Sequence, residues 1–321
     1  MFESYNNKLL PLDGFTLNFN ATGLMIMNIT IAFIMFGVAL GIKRENFQNI
    51  VKDPKPVITG IISQFVLMPA MTFLIVIVAR LPVSISLGMI LVASCPGGNV
   101  SNFMTSLARG NVALSVSLTA VSDLASIIMT PLSFTFWGNL YLDVALPLEN
   151  PIHIPFIEVL KTITLLMGVP LVLGLWFQNK FPKTTKRIFK TIKIVSFVVF
   201  LGFIAGEIAA NFDFFAKYYW LLFPIVLIHN FLALTTGFSV ASLLRMSLLN
   251  KKTITIETGI QNSGIALVLI FNNNIFPDEG YGGIAFIVAM WGIWHIASGL
   301  ILSTLWSRRT GSVEAAVVTK E

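Results

Sequence analysis

Charged side chains are scarce in this chain: Asp, Glu, Lys and Arg together make up 11% of its 321 residues, against about 25% in a typical soluble domain. So few cannot cover a water-exposed surface, which excludes a soluble globular protein. Cysteine is nearly missing too. The single Cys95 excludes an internal disulfide, and with only 3 His in the chain no Cys/His set is available for zinc or copper. There is no row of acids for calcium. Gly-x-Ser-x-Gly, His-Glu-x-x-His and a carboxylate dyad are all missing, so no enzyme is expected. Residues Met1–Thr22 are polar and lack the basic start and apolar core of a secretory signal, so none is expected there.

Apolar residues are plentiful: 55% of the chain is hydrophobic, with 27 Phe and 6 Trp, and the mean hydropathy is +0.83. A window of about 20 apolar residues spans the hydrocarbon of a bilayer. It predicts an all-α membrane protein with nine spans, near 22–42, 56–79, 84–108, 112–138, 155–177, 190–211, 218–244, 253–275 and 282–306. The formal net charge of +6 reflects membrane orientation rather than affinity for nucleic acid. One set of connections holds Lys43, Arg44, Lys52, Lys55, Arg109, the run from Lys180 to Lys193, Arg245, Lys251, Lys252, Arg308, Arg309 and Lys320. The opposite set has only Lys8, Arg80 and Lys217. Basic residues stay in the cytoplasm, so the N-terminus is expected outside and the C-terminus inside, which an odd number of spans also requires. The expected setting is the plasma membrane of a bacterium.

Two of these spans are interrupted in their middle. The third contains Cys95-Pro96-Gly97-Gly98-Asn99-Val100-Ser101-Asn102, and the eighth contains Glu257-Thr258-Gly259-Ile260-Gln261-Asn262-Ser263-Gly264. Backbone groups freed by a helix break, and a carboxylate beside them, cost several kcal/mol in lipid (order of magnitude) unless partners are supplied. Two such breaks at membrane depth therefore point to a polar site between discontinuous helices, the arrangement of a secondary transporter. Five spans separate the third from the eighth, so the two broken spans cross the membrane in opposite directions. That is the parity of an inverted-topology repeat: 22–138 as a first half lacking one span, 155–306 as the second, and 307–321 as a cytoplasmic tail.

Ionisable residues deep in the membrane are few: Asp123, Glu207, Glu257, His229 and His295. Asp costs about 2.5–3.5 kcal/mol at the bilayer centre on an insertion scale, so such residues read as functional, His least strongly. Glu257 leads because it sits at the second break beside Gln261 and Asn262. The fourth span adds Ser115, Thr119, Ser122, Ser126, Thr130 and Ser133 on one helical face. Such a stripe often only lines close helix contacts. Ser115 and Thr119, however, follow the short turn Arg109-Gly110-Asn111 and so come near Ser101 and Asn102. Hydroxyl, amide, carbonyl and carboxylate oxygens together suit a hard monovalent cation such as sodium. Half-helix N-termini at the same depth attract an anionic group. Cation and organic anion at one midplane site describe a sodium-coupled symporter. A proton-coupled or uncoupled carrier and a channel are the alternatives.

The run Cys-Pro-Gly-Gly-x-x-Ser-Asn followed by Leu107-Ala108-Arg109-Gly110-Asn111-Val112-Ala113-Leu114-Ser115 resembles the bile acid:sodium symporter family. So do the run from Glu257 to Gly264 and Trp294-His295-x-x-Ser298-Gly299. The resemblance implies a core domain and a panel domain, two discontinuous helices crossing in the core, and the nine-span form of the family. It implies one sodium site from Ser101, Asn102, Ser115, Thr119 and Glu257. A second would use Gln64, Glu257, Gln261 and the carbonyls of Thr258 and Ile260. Asn99 and Asn262, with Gly98, Ser263 and His295, would face the substrate. Two acids depart from the pattern and are candidate coupling groups: Asp123 stands where a neutral hydroxyl residue is expected, as a protonated hydrogen-bond donor, a proton-coupling group or a partner for a cationic part of the substrate, and Glu207 lies in a span that is usually neutral there. Asn99 likewise replaces a small hydroxyl residue. The substrate class stays open among bile salts, pantoate-like hydroxy acids, keto acids and sulfated steroids. Two sodium ions are expected, with no organic cofactor and no nucleic-acid partner. A monomer is expected.

Overall fold

The computed structural model describes residues 2–14, 21–43, 48, 51, 53–98, 100–145, 153–210, 212–270, 272, 275–276 and 282–318. Among them every regular element is helical, as lipid demands of a chain without a closed barrel. In chain order the helices are α1 (Phe2–Leu9), α2 (Ala21–Ala39), α3 (Pro54–Ala79), α4 (Val83–Ser94), α5 (Val100–Leu107), α6 (Val112–Ala145), α7 (Phe156–Lys180), α8 (Pro182–Ala210), α9 (Phe212–Leu243), α10 (Leu248–Gly259), α11 (Ser263–Ile270) and α12 (Gly282–Val318). Five of them, α3, α6, α7, α9 and α12, are long and apolar enough to cross a membrane.

Both expected interruptions are present: helix α4 ends at Ser94 and α5 begins at Val100, with Cys95–Gly98 non-helical between them, and α10 and α11 are separated at Ile260–Asn262. Two helices run past their expected ends, and α8, α9 and α10 begin before the expected starts of 190, 218 and 253, at Pro182, Phe212 and Leu248. Helix α6 runs on to Ala145 instead of stopping near 138, and α12 continues to Val318 instead of ending near 306. Nothing in 139–145 or 307–318 breaks a helix by Pro, so each simply propagates past its apolar stretch.

Helices α3 and α7 each contain one wide π-turn, at Ser63–Leu67 and Thr164–Gly168. Each wide turn is followed within two residues by a proline, Pro69 or Pro170. Proline has no N–H for the regular ladder, and the Met68 and Val169 amides reach back five residues, to the Ser63 and Thr164 carbonyls. The bulge in α3 includes Gln64, and π-bulges are frequent at functional sites.

Helix α9 packs along α10, α12 along α4, and α6 against α4, so the two broken pairs lie enclosed by long helices. Helices α2, α7 and α8 pack together as a second group. The start of the chain is tied to α9, to the end of α3 and to the start of α4. The Tyr5 hydroxyl donates to the Leu221 carbonyl, and Asn6 Nδ2 donates to the carbonyls of Ala79 and Arg80 at 3.0 and 2.9 Å. Asp13 accepts from the amides of Val83 at 3.2 Å and Ser84 at 2.8 Å, capping α4 from 70 residues away. An acid there satisfies donors that the helix itself cannot.

Candidate functional site

The two breaks meet. Gly97 and Gln261 form an antiparallel bridge, the Gly98 amide donates to the Ile260 carbonyl at 2.7 Å, and the Asn262 amide donates to the Pro96 carbonyl at 2.8 Å. Each unwound segment thus satisfies backbone groups of the other, which is how irregular backbone survives away from water. Glycine is required for this approach. A Cβ on Gly97 would stand 3.1 Å from Glu257 Oε2 and 3.2 Å from the Glu257 carbonyl, and one on Gly98 would stand 3.1 Å from the Gln261 carbonyl. Helices α5 and α11 both begin at this crossing, while α4 and α10 both end there. Helix N-termini and C-terminal carbonyls, of opposite partial charge, therefore converge on one place.

Glu257, on the last turn of α10, is buried, and three hydroxyls from two other helices close on its carboxylate. Ser101 Oγ of α5 donates to Oε1 at 2.6 Å, Ser115 Oγ of α6 donates to the same oxygen, and Thr119 Oγ1 lies 3.1 Å from Oε2. Thr119 Oγ1 is also 3.4 Å from Asn102 Oδ1. All five residues expected for the first sodium position are therefore in one constellation. Hydroxyls can donate to the carboxylate or turn a lone pair toward a cation, so the same oxygens serve both arrangements.

On the other side of Glu257, Gln64 Nε2 donates to Gln261 Oε1 at 2.6 Å and to the Cys95 carbonyl at 2.8 Å. Gln261 Nε2 donates to the Thr258 carbonyl at 2.9 Å, and the Thr258 hydroxyl pairs with Ser63 Oγ of the α3 bulge at 2.9 Å. Gln64 Oε1 is buried without a donor. An orphaned amide oxygen among carbonyls fits a hard monovalent cation, because the ion takes the lone pairs that no N–H fills.

Of the residues expected to face the substrate, Gly98 and Asn262 stand in the crossing itself. Ser263 is buried beside Gly292 of α12, where a Cβ would lie 2.7 Å from its hydroxyl. His295 is buried one turn further along α12, and its Nδ1 is 2.8 Å from the Trp291 carbonyl. Asn99 and the side chain of Glu207 lie outside the described residues. His229 is held on both ring nitrogens, by Thr72 Oγ1 at 2.9 Å and by Trp291 Nε1 at 3.1 Å. Trp N–H only donates, so Nδ1 accepts and Nε2 carries the proton. That neutral ring clamps α9 to α3 and α12.

Asn230 was not among the expected site residues. Its Nδ2 donates to the Gly259 carbonyl, freed at the end of α10, at 2.8 Å, and its Oδ1 accepts from Ser298 Oγ of α12 at 2.6 Å. The adjacent polar pair His229-Asn230 in an otherwise oily span was the available signal. Replacing Asn230 with Val should cost about 1–3 kcal/mol, the penalty for orphaning a buried carbonyl, read as a lower melting temperature of the purified protein.

Residues 28–217 match the family model described as the Sodium Bile acid symporter family. The "Uncharacterized sodium-dependent transporter YocS" of Bacillus subtilis is 32% identical over 90% of this chain and 85% of its own length. The chain belongs to the sodium bile acid symporter family. Its members are transporters that depend on sodium, and this one is an integral membrane protein. The family extends to "Probable sodium/metabolite cotransporter BASS1, chloroplastic" of Arabidopsis thaliana, 28% identical over 91% of this chain and 69% of that protein. It also includes the human "Ileal sodium/bile acid cotransporter", 24% identical over 79% of this chain and 71% of that protein. The mouse "P3 protein" is 30% identical over 71% of this chain, and the match covers 47% of its length.

Proposed function

We propose that the chain is a sodium-coupled symporter of a small organic anion that works by alternating access, with two sodium ions carried per anion. The observation that carries this reading is the Glu257 carboxylate at the crossing, ringed by the hydroxyls of Ser101, Ser115 and Thr119. Ser101, Asn102, Ser115, Thr119 and Glu257 hold one ion. Gln64, Gln261, Glu257 and the carbonyls of Thr258 and Ile260 hold the other. The N-termini of α5 and α11 then receive the anion beside Gly98, Asn99, Asn262, Ser263 and His295. Nine spans in an inverted repeat, with the N-terminus outside a bacterial plasma membrane, complete the reading. The packing of α2, α7 and α8 as one group supports a panel against which the crossing helices move.

Magnitudes explain the use of two ions. A tenfold sodium gradient supplies about 1.4 kcal/mol per ion, and one ion with a monovalent anion moves no net charge. A second ion adds about 1.4 kcal/mol and about 2.3 kcal/mol from a 100 mV potential. The total, about 5 kcal/mol, corresponds to roughly several-thousand-fold accumulation.

The test is a thermal-stability screen of the purified protein against small organic anions in sodium and in potassium, since a ligand stabilises by mass action. The transported anion should stabilise in sodium alone, and a sodium gradient should drive its uphill uptake into sealed vesicles. Equal stabilisation in both salts would overturn sodium coupling.

A further inference from the structure

Asp123 is a carboxyl group that the site described above does not use. It lies one turn beyond Thr119 on α6, is fully buried, and has no hydrogen-bond partner on either carboxylate oxygen. Its neighbour Ser126 turns its hydroxyl to the Asp123 backbone carbonyl, at 2.8 Å, and not to the carboxylate. Among the described residues no cationic side chain is paired with it.

The position is not peripheral. Thr119, four residues earlier, bonds Glu257 of α10, and Ser133 Oγ, ten residues later, lies 3.1 Å from Ser94 Oγ at the end of α4. Between those two contacts α6 runs past both breaks, and Asp123 stands on that stretch. Thr119, one turn away on the same helix, touches the Glu257 carboxylate, which puts a second acid in the neighbourhood. A buried carboxylate with neither donor nor counter-charge is strongly unfavourable, and a second carboxylate nearby makes it worse.

Charge balance indicates what relieves it. Two sodium ions on Glu257 leave the site with one positive charge, which the anion neutralises. An ionised Asp123 adds a negative charge that a further bound cation cancels, where a proton would otherwise neutralise the acid.

We propose that Asp123 anchors a third monovalent-cation position beside the crossing, filled by an alkali ion. The proposal rests on the two-ion reading above. Ions bound only by the folded protein stabilise it in proportion to the logarithm of their concentration, once per site at saturation. The slope of thermal stability against log sodium, at constant ionic strength with choline, therefore counts ions.

The full chain in detergent should show a slope that falls by about a third in Asp123→Asn and in Asp123→Thr. Three sodium-22 ions should be counted per wild-type chain by equilibrium dialysis. Equal, non-zero slopes in wild type and variants would overturn the third position while leaving the two-ion reading intact. A wild type insensitive to sodium would overturn both. If neither variant folds, the sodium-22 count decides: three ions support the position, and two overturn it.

Discussion

Glu257→Gln is expected to abolish sodium-driven uptake while the protein still folds and reaches the membrane. Glutamine keeps an oxygen that can accept from Ser101 and Ser115, so the constellation of three hydroxyls is not orphaned. It lacks the charge that balances the ions. Removing one partner of a buried charge pair costs about 3–5 kcal/mol, which is roughly 100-fold to 3,000-fold in sodium affinity. Sodium-dependent thermal stabilisation should lose the contribution of the two ions on Glu257 at concentrations that saturate the wild type, with the melting temperature in choline little changed. Unaltered sodium dependence in this variant would show that the carboxylate is not the ion site.

Gly97→Val should damage the same function by a different route. A Cβ at Gly97 already stands against both the carboxylate and the backbone carbonyl of Glu257. The two γ carbons of valine have nowhere to go without separating the paired segments. Overpacking of this kind costs about 1–3 kcal/mol, and here it falls on the ligands themselves. Sodium affinity and melting temperature should both drop, with Gly97→Ala intermediate. Gly202→Ala on α8 is the control, since a Cβ there meets nothing within 4 Å, and it should leave sodium affinity unchanged without lowering the melting temperature. A Gly97→Val protein with normal sodium affinity would mean that the close approach of the segments is not needed for binding.

The five residues proposed for the first ion position lie together, and so do the two glutamines proposed for the second, both sets having been expected from the family resemblance. Gln64 shows the limit of local reading. An amide in an oily helix is as often helix glue as ligand, and the signals that single it out are the proline-induced bulge and a partner at position 261. His229 is the reverse case. Ionisable and deep in the membrane, it reads as functional, yet Thr72 and Trp291 hold both its nitrogens.

What the chain determines by its sequence alone is whatever depends on transfer from water and on local backbone chemistry. Scarce charge makes it a membrane protein, and asymmetric basic loops predict its orientation. Gly and Pro at mid-span break two helices, and the parity of the expected intervening spans predicts that they run oppositely. Tertiary structure alone decides which oxygen faces which. Glu257 meets Ser101 across 156 residues and Ser115 across 142, Asp13 caps a helix 70 residues away, Asn230 holds the freed Gly259 carbonyl, and Asp123 is left without a partner. The reason is physical: lipid offers no hydrogen bonds, so each buried polar group must be paired from within the protein. Which partner is within reach depends on how helices distant in sequence pack together.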